Sequence, residues 1–214
     1  MRLVMSRLYV ILDAALVTEP VGDTAKKLLD AGVRLLQYRN KSAAAGKLFA
    51  EASVIAALAR AAGTVFFVND RPDVAYLAGA DGVHVGQDDL NVEQARAVVG
   101  PERWIGISTH NEAQFRLAAE TSADYIAVGP VFTTKTKENP DAVVGLELLR
   151  RVRGLTRKPI VAIGGITLER AASVMEAGAD SVAVISDILC AAQPAQRTKE
   201  FMQRLDAAKP AASD

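Results

Sequence analysis

The sequence predicts a single (β/α)8 TIM barrel, and three observations carry that expectation. Short runs of branched apolar residues alternate with longer stretches of helical period rich in Ala, Leu and charge, and eight of each can be found. The apolar runs are nearly uniform rather than alternating, as parallel strands covered on both faces require. The turn after the first run reads Asp13-Ala14-Ala15, where an open doubly wound sheet would carry its glycine-rich loop. The length of 214 residues gives about 27 per βα unit, short beside the ~250 of a typical barrel and within its lower range of ~200.

Taken in order, strands are expected at 8–12, 33–37, 65–68, 82–85, 104–107, 125–128, 160–163 and 181–185. Helices are expected at 24–31, 43–62, 72–78, 91–99, 112–121, 146–153, 168–177 and 195–207. Gly32, Gly79 and Gly178 each stand between a helix and the next strand, where a left-handed residue ends the helix. Asp81, Asp124 and Asp180 precede strands, at the end of the barrel opposite its chemistry, and are read as turn residues. One domain is expected over 1–206. The stretch 207–214 has no periodic apolar face and reads as a disordered tail.

Half of the residues are apolar and 23% are charged, which excludes disordered and fibrous classes. The 25 basic and 25 acidic side chains cancel, so no global field would hold the chain on nucleic acid or an anionic membrane. Any anionic ligand needs a local site. The first apolar run, residues 8–12, is too short for a secretory signal or a membrane span. One cysteine, Cys190, suits a reducing compartment, and the expected location is cytoplasmic. Cys190 itself is read as a small buried apolar residue. Self-association is compatible with the sequence and not determined by it.

In a barrel of this kind function gathers after the strands. After strand two comes Gln37-Tyr38-Arg39-Asn40-Lys41, whose alternate residues Gln37, Arg39 and Lys41 share one side while the chain stays extended. An arginine fork and a lysine at that spacing suit a diphosphate; a solvated loop is the plainer reading. Asn69-Asp70-Arg71 follows strand three and Gly86-Gln87-Asp88-Asp89 follows strand four. Asp70 and Asp89 could share one Mg²⁺ with a diphosphate, or Asp88 or Asp89 could instead cap the helix near Asn91. Strand five ends in Ser108-Thr109-His110, with Ser108 as a ligand partner and Thr109 or Asn111 as a helix cap. His84 sits between Val83 and Val85 as a histidine packed in the barrel, and both histidines stay outside the chemistry. The loop 129–137 after strand six is dense in hydroxyls and lysines and suited to closing over anions. Gly164-Gly165 after strand seven, with backbone N–H groups after strand eight, forms the recurrent phosphate site of the fold.

The blocks 37–41, 68–71, 82–89, 106–110, 128–137 and 163–166 together resemble the thiamine phosphate synthase family, over residues 8–188. The resemblance implies a transferase that joins hydroxymethylpyrimidine diphosphate and hydroxyethylthiazole phosphate into thiamine phosphate, releasing diphosphate. It implies that Gln37, Tyr38, Arg39, Asn40, Lys41, Asn69, Ser108 and Lys137 hold the pyrimidine diphosphate, with Arg39, Lys41, Lys137 and Ser108 catalytic. Asp70 and Asp89 would hold Mg²⁺. Thr134, Lys135, Thr136, Gly165, Ile185 and Ser186 would hold the thiazole phosphate. The implied partners are these two small molecules. A thiazole phosphate tautomerase on the same barrel and a non-catalytic thiazole phosphate regulator are the alternatives. The tautomerase would have no use for a metal–diphosphate wall, and no appended regulatory domain or basic stripe supports the regulator.

Overall fold

Parallel strands hide their apolar side chains only if both faces are covered, and here eight strands do so by closing on themselves. The computed structural model describes residues 5–134 and 141–208. The strands are β1 (Leu8–Asp13), β2 (Leu35–Arg39), β3 (Val65–Asn69), β4 (Gly82–Val85), β5 (Trp104–Thr109), β6 (Tyr125–Val128), β7 (Ile160–Ala162) and β8 (Ser181–Val184). They pair in parallel in chain order, and β8 closes the barrel on β1 with Leu8 opposite Val182. Helices α1 (Val21–Asp30), α2 (Ala45–Ala62), α3 (Pro72–Leu77), α4 (Val92–Val99), α5 (Glu112–Glu120), α6 (Gly145–Arg153) and α7 (Leu168–Glu176) alternate with the strands, and α8 (Ser186–Leu189) and α9 (Pro194–Ala207) follow β8.

Two apolar layers result. The outer one, between strands and helices, takes most of the Leu, Val and Ala. The inner one fills the barrel with Tyr9, Leu35, Phe67, Tyr125, Val161 and neighbours. Strand glycines make room for the inner rings. A Cβ on Gly82 would lie 2.4 Å from the Phe67 ring, and one on Gly106 would lie 2.0 Å from the Tyr125 ring. Phe67 and Tyr125 therefore meet edge to face, with centroids 5.5 Å apart.

The end of the barrel where the strands begin is structural, as expected. Gly32, Gly79 and Gly178 all have positive φ. The carboxylates of Asp81, Asp124 and Asp180 accept from the backbone N–H groups of Phe66, Ile105 and Ile160 at 2.7–2.8 Å, each on the preceding strand.

Three expectations need correcting. Strand β2 runs two residues later than its expected bounds, so Gln37 lies inside the barrel rather than after the strand. Helix α8 was not foreseen, because four residues are too few to show helical period. It also carries Cys190 to the surface at its C-terminal end, where the thiol is exposed and not buried. No helix among the described residues is long and apolar enough to cross a membrane.

Candidate active site

Strand alternation decides which side chains reach the mouth. On β2, Leu35, Gln37 and Arg39 share the inner side, whereas Tyr38 points outward. Tyr38 is fully buried in the outer layer, where its hydroxyl donates to Glu51 of α2. Asn40 donates to the Tyr38 hydroxyl at 3.0 Å and to Glu51 at 3.2 Å, while its own oxygen accepts from Ala43 N at 3.1 Å. The structure therefore turns the side chains of Tyr38 and Asn40 toward α2 and its entry loop. They do not join the others at the mouth.

Arg39 is gripped from β1. Asp13 stands opposite it in the register, and the two side chains form an ion pair in which Asp13 is 2% and Arg39 18% exposed. Asp13 Oδ1 also accepts from Ala15 N at 3.0 Å, which fixes the carboxylate. Asp13 has no sequence motif around it; its role shows only once β1 and β2 are paired.

The two acidic loops do converge. Asp70 has φ 61°, a left-handed backbone that a non-glycine residue adopts at a cost, and its N–H donates to the His84 carbonyl at 2.8 Å. This bend presents its carboxylate to Lys41 Nζ at 3.1 Å. Asp89 accepts from Gly86 N at 2.7 Å, and its carboxyl is held above the ordinary carboxylate range, first by burial and then by Asp70 beside it. Asp89 is not the cap of α4. That place belongs to Asn91, whose side chain accepts from Gln94 N while Gln94 answers to Asn91 N. Two neighbouring carboxylates beside Lys41 are a donor set suited to a hard divalent cation that takes its remaining ligands from phosphate oxygens and water. Among the described residues no cluster of three or more acidic, histidine or cysteine side chains forms a metal cage.

Ser108, on β5, has a partner not expected from the sequence. Its Oγ lies 2.8 Å from Nε2 of His84, whose Nδ1 lies 2.7 Å from the Tyr125 hydroxyl. His84 is packed in the barrel, as expected, yet it touches a site residue and cannot be left out of the site. Burial pushes its imidazole down to about 4, so it is neutral at ordinary pH. The Tyr125 hydroxyl is 3.1 Å from that of Tyr9, to which Gln37 Nε2 donates at 2.8 Å. His110 takes a different role, with Nδ1 2.6 Å from the Gly129 carbonyl.

The second candidate anion site is built from the loops after β6 and β7. Gly165 has φ +64°, and a Cβ there would meet the Thr133 carbonyl oxygen at 2.4 Å. Val131 N donates to Ile163 O at 2.8 Å and Phe132 N to Gly164 O at 3.1 Å, so the loops after β6 and β7 are sewn together through their backbones. Arg170 stacks over Phe132 at 4.6 Å and donates to Gly165 O at 3.0 Å. The start of the loop after β6 is thus anchored rather than free to swing. Ile185 and Ser186 open α8, whose Asp187 accepts from Leu168 N at 3.0 Å just beyond the loop after β7. Thr134 is the last described residue of the loop; Lys135, Thr136 and Lys137 lie outside the described residues.

Comparison with known proteins shows the family. The chain matches the family described as thiamine monophosphate synthase over residues 8–188. It is 52% identical over 206 residues to the thiamine-phosphate synthase of Koribacter versatilis, covering 94% of this chain and 96% of the relative. The corresponding enzyme of Lawsonia intracellularis is 41% identical over 199 residues, with 92% of each chain covered. Among solved structures, a thiamine phosphate pyrophosphorylase from Pyrococcus furiosus aligns with a TM-score of 0.85 at 32% identity, covering 94% of this chain and 95% of that one. A 3-hexulose-6-phosphate synthase at 22% identity and a TM-score of 0.65 shares the fold alone.

Proposed function

The chain belongs to the thiamine monophosphate synthase family, transferases that couple a pyrimidine diphosphate with a thiazole phosphate, and we propose that the mouth of this barrel performs the coupling by holding the leaving diphosphate between its cations and its paired carboxylates. One observation carries this reading: Lys41, two residues beyond Arg39, reaches to 3.1 Å from Asp70, whose carboxylate is paired with that of Asp89. A wall of that composition has a use in expelling diphosphate. It has none in tautomerising a thiazole phosphate or in merely sensing one.

In this reading Gln37, Arg39, Lys41, Asn69, Ser108 and Lys137 bind the pyrimidine diphosphate, and Tyr38 and Asn40 hold the strand end in shape from behind. Thr134, Lys135, Thr136, Gly165, Ile185 and Ser186 bind the thiazole phosphate. Asp70 and Asp89 would hold Mg²⁺, which when bound supplies positive charge to the diphosphate oxygens. The bond from the pyrimidine methylene carbon to the bridging oxygen breaks with both electrons leaving on diphosphate. Arg39, oriented by Asp13, and Lys41 bind the charge that grows on those oxygens. The thiazole nitrogen then donates its lone pair to the methylene carbon and the new C–N bond forms. That nitrogen is already free of a proton, so the site needs no general base. The barrel's contribution is leaving-group stabilisation and alignment of two bound substrates. We place the enzyme in the cytoplasm, on the support of its single cysteine.

The test is release of diphosphate by the purified protein. It is expected to require both substrates together with Mg²⁺. Release from the pyrimidine substrate alone at the full rate, or thiazole tautomerisation with no diphosphate produced, would refute the reading.

A further inference from the structure

A line of hydrogen bonds crosses the interior of the barrel from β2 to β5 by way of β1, β6 and β4. Gln37 Nε2 donates to Tyr9 Oη at 2.8 Å, Tyr9 Oη is 3.1 Å from Tyr125 Oη, Tyr125 Oη is 2.7 Å from His84 Nδ1, and His84 Nε2 is 2.8 Å from Ser108 Oγ. Tyr9, Tyr125 and His84 are 1%, 0% and 8% exposed, so water does not substitute for a missing partner along the way. Of its members, only the two ends, Gln37 and Ser108, are given a ligand in the proposed function.

The order of protons along this line follows from counting donors and acceptors. An amide nitrogen can only donate. With Gln37 giving to the Tyr9 oxygen, the single Tyr9 hydrogen finds its acceptor, among the described residues, only in Tyr125 Oη. The Tyr125 hydrogen then has only His84 Nδ1 to receive it, so Nδ1 must carry none. A neutral imidazole without hydrogen on Nδ1 carries it on Nε2, and Nε2–H donates to Ser108 Oγ. The reverse order would direct a hydrogen from Tyr125 at Tyr9 and leave the Tyr9 hydroxyl hydrogen facing the amide nitrogen of Gln37, an unmade bond in a dry interior.

We propose that Gln37, Tyr9, Tyr125 and His84 form a one-way hydrogen-bond line that fixes His84 as the Nε2–H tautomer and thereby leaves the Ser108 hydroxyl hydrogen free to donate to a ligand in the mouth. Ser108 accepts from behind and donates in front. Tyr9, Tyr125 and His84 are positioning residues, and a ligand suited to this place presents an acceptor atom to Ser108. The identity of that ligand as the pyrimidine diphosphate rests on the proposed function; the polarity of the line does not.

The test is ¹⁵N NMR of the histidine side chains in the full-length protein without substrates. The chain has only two histidines, and a His110→Gln variant assigns them. His110 is an internal reference, since its Nδ1 meets the Gly129 carbonyl and must carry a hydrogen there, while its Nε2 lies 3.5 Å from Asp141. His84 is expected to show a pyrrole-like Nε2 and a pyridine-like Nδ1; the opposite pattern overturns the proposal and needs no variant. Tyr9→Phe removes the link to Gln37 without touching His84, so its His84 signals are expected to shift toward a mixture of tautomers, and an unshifted spectrum would mean that the polarity is set locally. In that variant the KM for pyrimidine diphosphate is expected to rise several-fold with the thiazole phosphate KM unchanged; wild-type values for both would break the connection to Ser108. The spectrum is read without turnover, so a wild-type protein that lacks synthase activity yet shows the Nε2–H pattern would sink the proposed function and leave this line standing.

Discussion

Asp13 at the end of β1 and Arg39 at the end of β2 occupy facing positions in the barrel register and form an ion pair in which the acid is almost wholly buried. The guanidinium proposed to meet the leaving group is thus aimed by a neighbouring strand before any ligand arrives, which is how a charge can favour the transition state over the ground state. Arg39→Ala is expected to lower kcat on the order of 10²–10³. Arg39→Lys should recover part of it, keeping the charge and losing the fork. Asp13→Asn keeps the bond to Ala15 N but not the charge. It is expected to cost about 10–100-fold in kcat, in the range found when an outer group that orients a ligand is removed. The measurement is kcat at saturating substrate. A rise in KM alone would show uniform binding instead.

Asp70 and Asp89 lead to a paired prediction with opposite signs. Asp89 is held above its ordinary range partly by Asp70, so near neutral pH its ionised form is disfavoured in the folded protein without metal. Asp89→Asn removes that repulsion and is expected to raise the melting temperature of the metal-free protein. A relief of about 1 kcal/mol corresponds to about 2–4 °C for a chain of this size. The same change should abolish most turnover and the thermal stabilisation that Mg²⁺ and diphosphate together give the wild type. Calorimetry of both proteins with and without these additions decides it. A variant less stable than wild type in the absence of metal would count against the carboxylate pair.

His84 sets a pH dependence. Its imidazole is pushed from an ordinary 6.5 down to about 4 by burial, so between these values the unfolded chain binds the proton and the folded one does not. A lowered folded-state pKa contributes stability that is fully present above 6.5 and lost as the pH falls toward about 4. Urea unfolding from pH 7.5 to 4 should therefore show a steeper loss in wild type than in His84→Gln, whose amide does not titrate. Parallel curves would mean that the imidazole is not kept neutral by the fold.

The eight strands and the ends that carry chemistry were readable because apolar runs and helical period are local properties of the chain. What escaped depends on contacts between distant residues. Nothing near Asp13 distinguishes it from a turn residue; its meaning comes from Arg39, 26 positions later. His84 looked like packing because Ser108 and Tyr125 lie 24 and 41 residues away. Tyr38 sits among binding residues in sequence, and yet strand alternation sends it to Glu51 on the far side of the wall. The two residues by which β2 was misplaced put Gln37 at the mouth instead of at the head of the interior hydrogen-bond line.

Gly165 tests the second anion site, and the structure gives the reason in two parts. Its φ of +64° disfavours any side chain, and a β-branched one most. A Cβ there would also lie 2.4 Å from the Thr133 carbonyl oxygen and 2.9 Å from Phe132, both backbone-anchored by the bonds from Val131 and Phe132 to Ile163 and Gly164. Gly165→Val must therefore displace the segment that leads into Thr134, on the side of the mouth assigned to the thiazole phosphate. Arg39 ends β2, Asp70 and Asp89 lie in the loops after β3 and β4, and they share none of these contacts. The KM for thiazole phosphate is expected to rise at least tenfold, with the pyrimidine diphosphate KM changed by less than about threefold. Gly165→Ala serves as the graded control, since it meets the same carbonyl with the same Cβ and lacks the branch, and it should fall between wild type and Val. Equal rises for both substrates would place the phosphate cradle elsewhere, and an unchanged thiazole KM in a folded Gly165→Val protein would remove Gly165 from the site.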